Sequence, residues 1–191
     1  MLNSHLDSNF LKMIKNILNS TNKITVFLGA GCTLTSSEKD ITTYGIIEDL
    51  VEKHSLGNEP IPDNWIELYS KFVNDIWAGQ GEKNRIGLLE GYFENMTPSI
   101  GYETIRWLVE NDYIQNIITT NFDLMLDRAL DGINYNLIVG TQNIIVDKDA
   151  KLTIIKAHGD LRHGELRFSP EELKKLHKKL ENEICECSKG T

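Results

Sequence analysis

Three short stretches of this 191-residue chain carry groups suited to chemistry, and each follows an apolar run. Gly29-Ala30-Gly31 comes directly after Ile24-Thr25-Val26-Phe27-Leu28. A glycine turn at such a place lets backbone amides approach an anion such as a phosphate. The same turn also serves proteins that bind nothing there, glycine then supplying a positive φ. It is neither Gly-x-Gly-x-x-Gly nor a Walker loop, since no Gly-Lys-Ser/Thr follows, which disfavours an ordinary nucleoside triphosphatase or dehydrogenase. Thr119-Thr120-Asn121-Phe122-Asp123 follows a second apolar run and supplies four polar side chains, where a helix cap would need only one. Lys156-Ala157-His158-Gly159 closes a third run. A lone histidine is more often a packing or surface residue. Its titration near neutrality nonetheless makes it the natural general base beside a ribose hydroxyl or a water.

The other candidates are weaker. His5, His54, His163 and His177 stand in helical or loop contexts without a companion motif and read as surface residues. Cys32, just after the glycine turn, reads as a small side chain packed beneath the loop rather than as a nucleophile. Cys185-x-Cys187 would make half of a metal site, but no second cysteine pair exists, so no metal is expected.

The elements that must position these groups follow from hydrophobic periodicity. Helices are predicted over residues 6 to 18, around Ile46 to Val51, from Trp65 to Ile76 and over residues 84 to 96. Another starts near Pro98 and ends near Asn111. Short β-branched runs predict buried strands at Ile24 to Leu28, Ile114 to Ile118, Tyr135 to Val139, Ile144 to Val146 and Leu152 to Lys156. A short amphipathic helix bears Leu124, Leu126 and Leu130. A final helix from Pro170 to Ile184 carries Glu171, Glu172, Lys174, Lys175, Lys178 and Lys179 on a solvated face. Strands alternating with helices imply an α/β fold, a Rossmann-like parallel sheet flanked by helices. Ligands bind such sheets at the carboxyl ends of the strands, where all three motifs fall.

Composition excludes several classes. With 40% hydrophobic, 8% aromatic and 25% charged residues, the chain suits one globular domain. A net charge of −8 offers no electrostatic footprint for direct nucleic-acid binding. No apolar run approaches the roughly 20 residues of a membrane span, and Met1 to Asn9 lacks the pattern of a signal peptide. Three cysteines, an odd number, do not form a disulfide framework, and a cytoplasmic setting is expected.

Taken together, the glycine turn, Ile118-Thr119-Thr120-Asn121-Phe122-Asp123 and Lys156-Ala157-His158-Gly159 resemble the sirtuin family in order and spacing. Pro98-Ser99-Ile100-Gly101-Tyr102 is similar to the bacterial sirtuin-like branch that degrades NAD in anti-phage defence. The resemblance spans about residues 20 to 180. It implies that Gly29, Ala30 and Gly31 hold the pyrophosphate of NAD, with Thr33 matching the family's small hydroxyl residue. It implies that Asn121 orients the ribose and an attacking water, with Thr120 beside it, and that Asp123 faces the nicotinamide carboxamide. His158 falls on the family's general base. The implied activity is an NAD+ glycohydrolase yielding nicotinamide and ADP-ribose, with NAD as substrate and no further cofactor.

Two departures from the protein-deacylating sirtuins bear on this. Their zinc module with four cysteines is absent, and Ser37-Glu38-Lys39-Asp40-Ile41 stands where they carry Pro-Asp-Phe-Arg. Both favour hydrolysis over peptide deacylation. A deacylase and a non-catalytic NAD or ADP-ribose binding module remain the alternatives. The family continues into a further strand where this chain stops, so residues 1 to 191 are expected to be a fragment, C-terminally incomplete. A homo-oligomer and an attached or associated sensor domain are the expected partners.

Overall fold

The computed structural model describes residues 23–33, 42–55 and 60–174, together with residues 16, 19, 181 and 185. The first strand, β1 (Ile24–Leu28), runs into a 3₁₀ turn at Ala30–Cys32. Among the described residues the helices α1 (Thr43–His54), α2 (Trp65–Lys71), α3 (Glu82–Phe93) and α4 (Ile100–Glu110) follow. The last turns of α2 loosen into a π-helical stretch, Phe72–Trp77. Then come β2 (Ile114–Thr119), the short α5 (Met125–Ala129), the hairpin β3 (Tyr135–Val139) and β4 (Gln142–Ile145), β5 (Leu152–Lys156) and α6 (Pro170–Lys174).

The five strands form one sheet in the order β1-β2-β5-β3-β4. All pairs are parallel except β3 with β4, a tight hairpin that adds an antiparallel edge to the expected parallel sheet. Alternation along the strands divides the apolar residues between two faces. Leu28, Ile117, Ile154, Leu137 and Val139 join the main core with helix residues such as Leu50, Phe72, Trp77, Leu89 and Leu126. Ile118, Ile155 and Ala157 form a second, smaller cluster with Ile138.

Local chemistry sets the helix starts. The Thr42 hydroxyl accepts from the Gly45 amide at 2.9 Å, and the Asn64 carbonyl oxygen accepts from the Glu67 amide at 3.0 Å. Ser169 and Glu172 form a reciprocal capping box at α6: the Ser169 amide donates to Glu172 Oε2 at 3.0 Å and the Glu172 amide to Ser169 Oγ at 3.1 Å.

Most expected elements are present, with four differences. Helix α4 begins at Ile100, with Ser99 rather than Pro98 at its cap. The fourth strand lies at Gln142–Ile145, pulled toward the hairpin turn. His163 is half-buried rather than on the surface, and its amide donates to Asp160. Glu172, expected on a solvated face, instead accepts from Trp77 Nε1 at 3.1 Å and pairs with Arg85 at 2.6 Å. The helix expected over residues 6 to 18 and most of the final helix lie outside the described residues, as do His5, His177, Cys187 and Ser37 to Ile41. Among the described residues, no helix is long and apolar enough to cross a membrane.

Candidate functional site

Parallel pairing sets the carboxyl ends of β1, β2 and β5 side by side on one edge of the sheet. Hydrogen bonds continue past the strands: the Thr120 amide donates to Leu28 O at 3.2 Å and the Ala157 amide to Thr119 O at 2.9 Å. The three motifs therefore meet at neighbouring strand ends. Ala30, Thr33, Thr120, Asn121, Asp123 and His158 line one cleft of about 180 Å³. Gly31 lines an adjoining cavity of about 290 Å³ that shares Ala30 and Thr43, whereas Gly29 lines neither. A larger cavity of about 460 Å³ opens at the amino end of β3, beside Asn134 and Tyr135, and contains none of the motifs.

The glycine turn lacks a conformational reason for its glycines. Gly29 is extended at φ −112°, and Cβ atoms at Gly29 and Gly31 would meet only open space. Both residues leave the backbone bare and exposed, so their structural alternative, a positive φ, is absent. Gly159 is the opposite case. Its φ of +98° and the Glu165 carbonyl packed against it exclude any side chain.

Behind the turn lies a buried polar cluster joined across 90 residues of sequence. Thr33 Oγ1 donates to Asp123 Oδ2 at 2.8 Å. Asn121 Nδ2 lies 3.1 Å from Thr33 Oγ1 and 3.3 Å from the Tyr102 hydroxyl, donating to both. The Asn121 amide donates to Thr119 Oγ1 at 2.9 Å, and Asp123 Oδ1 accepts from the Met125 amide at 2.9 Å. With its amide nitrogen donating to both hydroxyls, Asn121 has its Oδ1 left over. That oxygen is buried without a protein partner. An unsatisfied buried acceptor costs about 1–3 kcal/mol, so a group lining a cleft in this state is one that a ligand can satisfy.

Burial pushes the Asp123 carboxyl up, although the Met125 amide, Thr33 and Lys156 pull the other way. Burial pushes the Tyr102 hydroxyl up to about 12, keeping it a neutral partner. His158 is half-buried, and burial, with the nearby Arg167 charge, lowers its pKa below the ordinary 6.5. Its imidazole is therefore neutral at pH 7, the state a general base requires.

Two polar residues at the site have roles that no sequence motif assigned to them. Tyr102, the last residue of the Pro98–Tyr102 stretch, is buried on α4, and its hydroxyl completes the Thr33–Asn121 cluster. Arg167 comes from an irregular segment; its amide donates to His158 O at 3.0 Å and its guanidinium pairs with Glu165 at 2.9 Å. Arg167 Nη1 is buried without a partner, a second unsatisfied atom in a cleft-lining residue. Phe122 and Phe168, with ring centroids 5.1 Å apart, supply an apolar wall. Cys32 is half-buried against the main core, as expected of a packing residue, and Cys185 is exposed. Among the described residues, no group of three or more His, Cys, Asp or Glu side chains is placed to hold a metal ion.

Comparison with curated proteins finds no match. The family model for the SIR2-like domain matches residues 115–187. That stretch runs from β2 past α6 and contains Asn121, Asp123, Lys156 and His158; the glycine turn and Thr33 precede it. Residues 115–187 are thus similar to the SIR2-like domain, and the α/β sheet with its three neighbouring strand ends is consistent with that likeness.

Proposed function

We propose that this cleft binds NAD+ and that the chain hydrolyses it to nicotinamide and ADP-ribose. The observation that carries the reading is the buried, unpartnered Asn121 Oδ1, fixed in a cleft that also holds a neutral imidazole. Gly29, Ala30 and Gly31 lie against the pyrophosphate, which the open space above both glycines permits. Asp123 takes the carboxamide of nicotinamide. Each of its oxygens already accepts one bond and keeps a second lone pair for that purpose.

The bond between C1′ of the ribose and the pyridinium nitrogen breaks, and its electron pair returns to the ring nitrogen, so nicotinamide leaves neutral. C1′ passes through an oxocarbenium-like state, and a water oriented by Asn121 Oδ1 adds to it. The water's proton goes to His158. A neutral leaving group needs little acid assistance, so the protein's task is positioning and electrostatic stabilisation. The cleft is smaller than the roughly 300–1,000 Å³ typical of ligand pockets, which suits a site that encloses the nicotinamide riboside end and leaves the rest of the dinucleotide along the open edge. In the cell, such an activity would serve as an effector of bacterial anti-phage defence by depleting NAD+.

A proton NMR time course of NAD+ with this chain tests the proposal, run beside Asn121→Ala and His158→Ala. The expected result is free nicotinamide in the wild type and at least about a hundredfold slower release in both variants. Line broadening of NAD+ without release would assign a binding module instead, and release only on adding an acyl-lysine peptide would assign a deacylase. Wild-type rates in either variant would overturn that residue's role.

A further inference from the structure

Lys156 is the last residue of β5, two positions before His158, and its side chain is 1% exposed. Its ammonium donates to the Asp123 carbonyl at 2.9 Å, to Asp127 Oδ2 at 2.5 Å and to Asp160 Oδ2. Asp160 is fully buried, and its other oxygen accepts from the amides of Arg162 and His163 at 2.7 and 2.9 Å. Burial alone would lower the lysine's pKa, but the two carboxylates outweigh it and hold the ammonium charged.

A buried ion cluster is a poor device for stability alone, since apolar residues of similar volume do as well or better. What it supplies is direction. The Asp123 carbonyl belongs to the irregular turn that carries both Asn121 and Asp123. Two further bonds clip the same turn to the β5 side, from the Ala157 amide to Thr119 O and from the Leu161 amide to Phe122 O, each at 2.9 Å. The lysine bond is the one of these set by side chains.

We propose that Lys156, clamped between Asp127 and Asp160, is a positioning residue: it holds the turn from Thr120 to Asp123, and through it Asn121, in register with His158. The inference rests on reading the cleft as the NAD-hydrolysing site, and its test separates the two.

Asp160→Asn keeps the oxygen that accepts from the Arg162 and His163 amides and removes one of the lysine's carboxylates. Amide hydrogen exchange is followed at Asn121 and Met125, whose N–H groups report on the turn. The expected result is exchange about tenfold faster or more at these two sites, with Ile117 and Ile154 in the strands unchanged. Nicotinamide release should lose about tenfold or more in kcat with KM within about twofold. The variant Lys156→Met/Asp127→Leu/Asp160→Asn, which removes every charge, should melt close to the wild type and show the same local exchange and the same loss of kcat.

Unchanged exchange at Asn121 and Met125 in Asp160→Asn overturns the proposal. So does an increase spread evenly through the strands, the mark of a cluster that only stabilises the fold. If the wild type releases no nicotinamide, the hydrolase reading falls, and the exchange data still decide the positioning role. If the charge-free variant does not fold, Asp160→Asn decides alone.

Discussion

At the scale of single residues, the site works by restricting what each polar atom is free to do. Thr33, Tyr102 and Asp123 occupy the Asn121 amide nitrogen and one another, so that one acceptor, Oδ1 of the cleft-lining Asn121, is left buried and unsatisfied. Tyr102→Phe removes the hydroxyl between Thr33 and Asn121 and should cost about 0.5–1.5 kcal/mol in urea unfolding. It should also slow nicotinamide release by loosening the Asn121 amide. His158 adds a pH signature. Because its folded pKa lies below the ordinary 6.5, the neutral base persists to lower pH than in a free histidine, and the acid limb of the rate profile should fall below pH 6.5. Arg167→Gln removes one of the two causes and should move that limb upward, burial still holding it below 6.5. A limb that stays in place would mean that the base is another group.

Elements place these residues, and two of them do so through features that single substitutions can probe. Gly159 turns the chain after β5 at φ +98°, with the Glu165 carbonyl against its Cα. Gly159→Ala should lose more than about 2 kcal/mol of stability, read as a lower urea midpoint, because no relaxation short of moving the Glu165 backbone makes room. Helix α6 is anchored by Glu172. Burial opposes its charge, but the Ser169 and Phe168 amides, Arg85 and Trp77 prevail and bring its pKa from 4.5 to about 2. A depressed carboxylate pKa means that the unfolded chain binds the proton first. The stability gained from Glu172 is therefore complete above about pH 4.5 and fades as pH falls toward 2. Urea midpoints of the wild type and Glu172→Gln should converge over that interval, and a constant gap would show that the carboxylate's charge is irrelevant. Because Phe168 and Leu173 line the cleft, the same variant should weaken NAD binding at pH 7.

Across the whole molecule, the buried ions at Lys156 tie β5 to the β2 turn, to α5 and to the turn after His158. Lys156→Met alone strands two carboxylates in the interior and should cost about 3–5 kcal/mol, measured by urea unfolding. Adding Asp127→Leu and Asp160→Asn should recover most of it. Failure to recover would mean that the lysine stem, not its charge, fills the site. Phe27, on the face of β1 opposite the main core, is 61% exposed, while Val26 and Leu28 on the other face pack inward.

The amino-acid sequence determined the elements and the three motifs, because both are local. Alternating and helical periodicity survive in single segments such as Ile24 to Leu28 and Trp65 to Ile76, and glycine, asparagine and histidine at strand ends are visible without knowing what lies beside them. The order β1-β2-β5-β3-β4 is not local. It decides that motifs far apart in the chain share one edge, and that Gly29 stands apart from the cleft while Ala30 lines it. The roles of Tyr102, Arg167, Glu172 and Lys156 were hidden for the same reason. In sequence they are a tyrosine and a lysine inside motifs but without an assigned role, an arginine outside any motif and a glutamate on a solvated face. Each acquires its role only when burial removes water and leaves protein atoms as its partners, and burial is a property of the packed molecule.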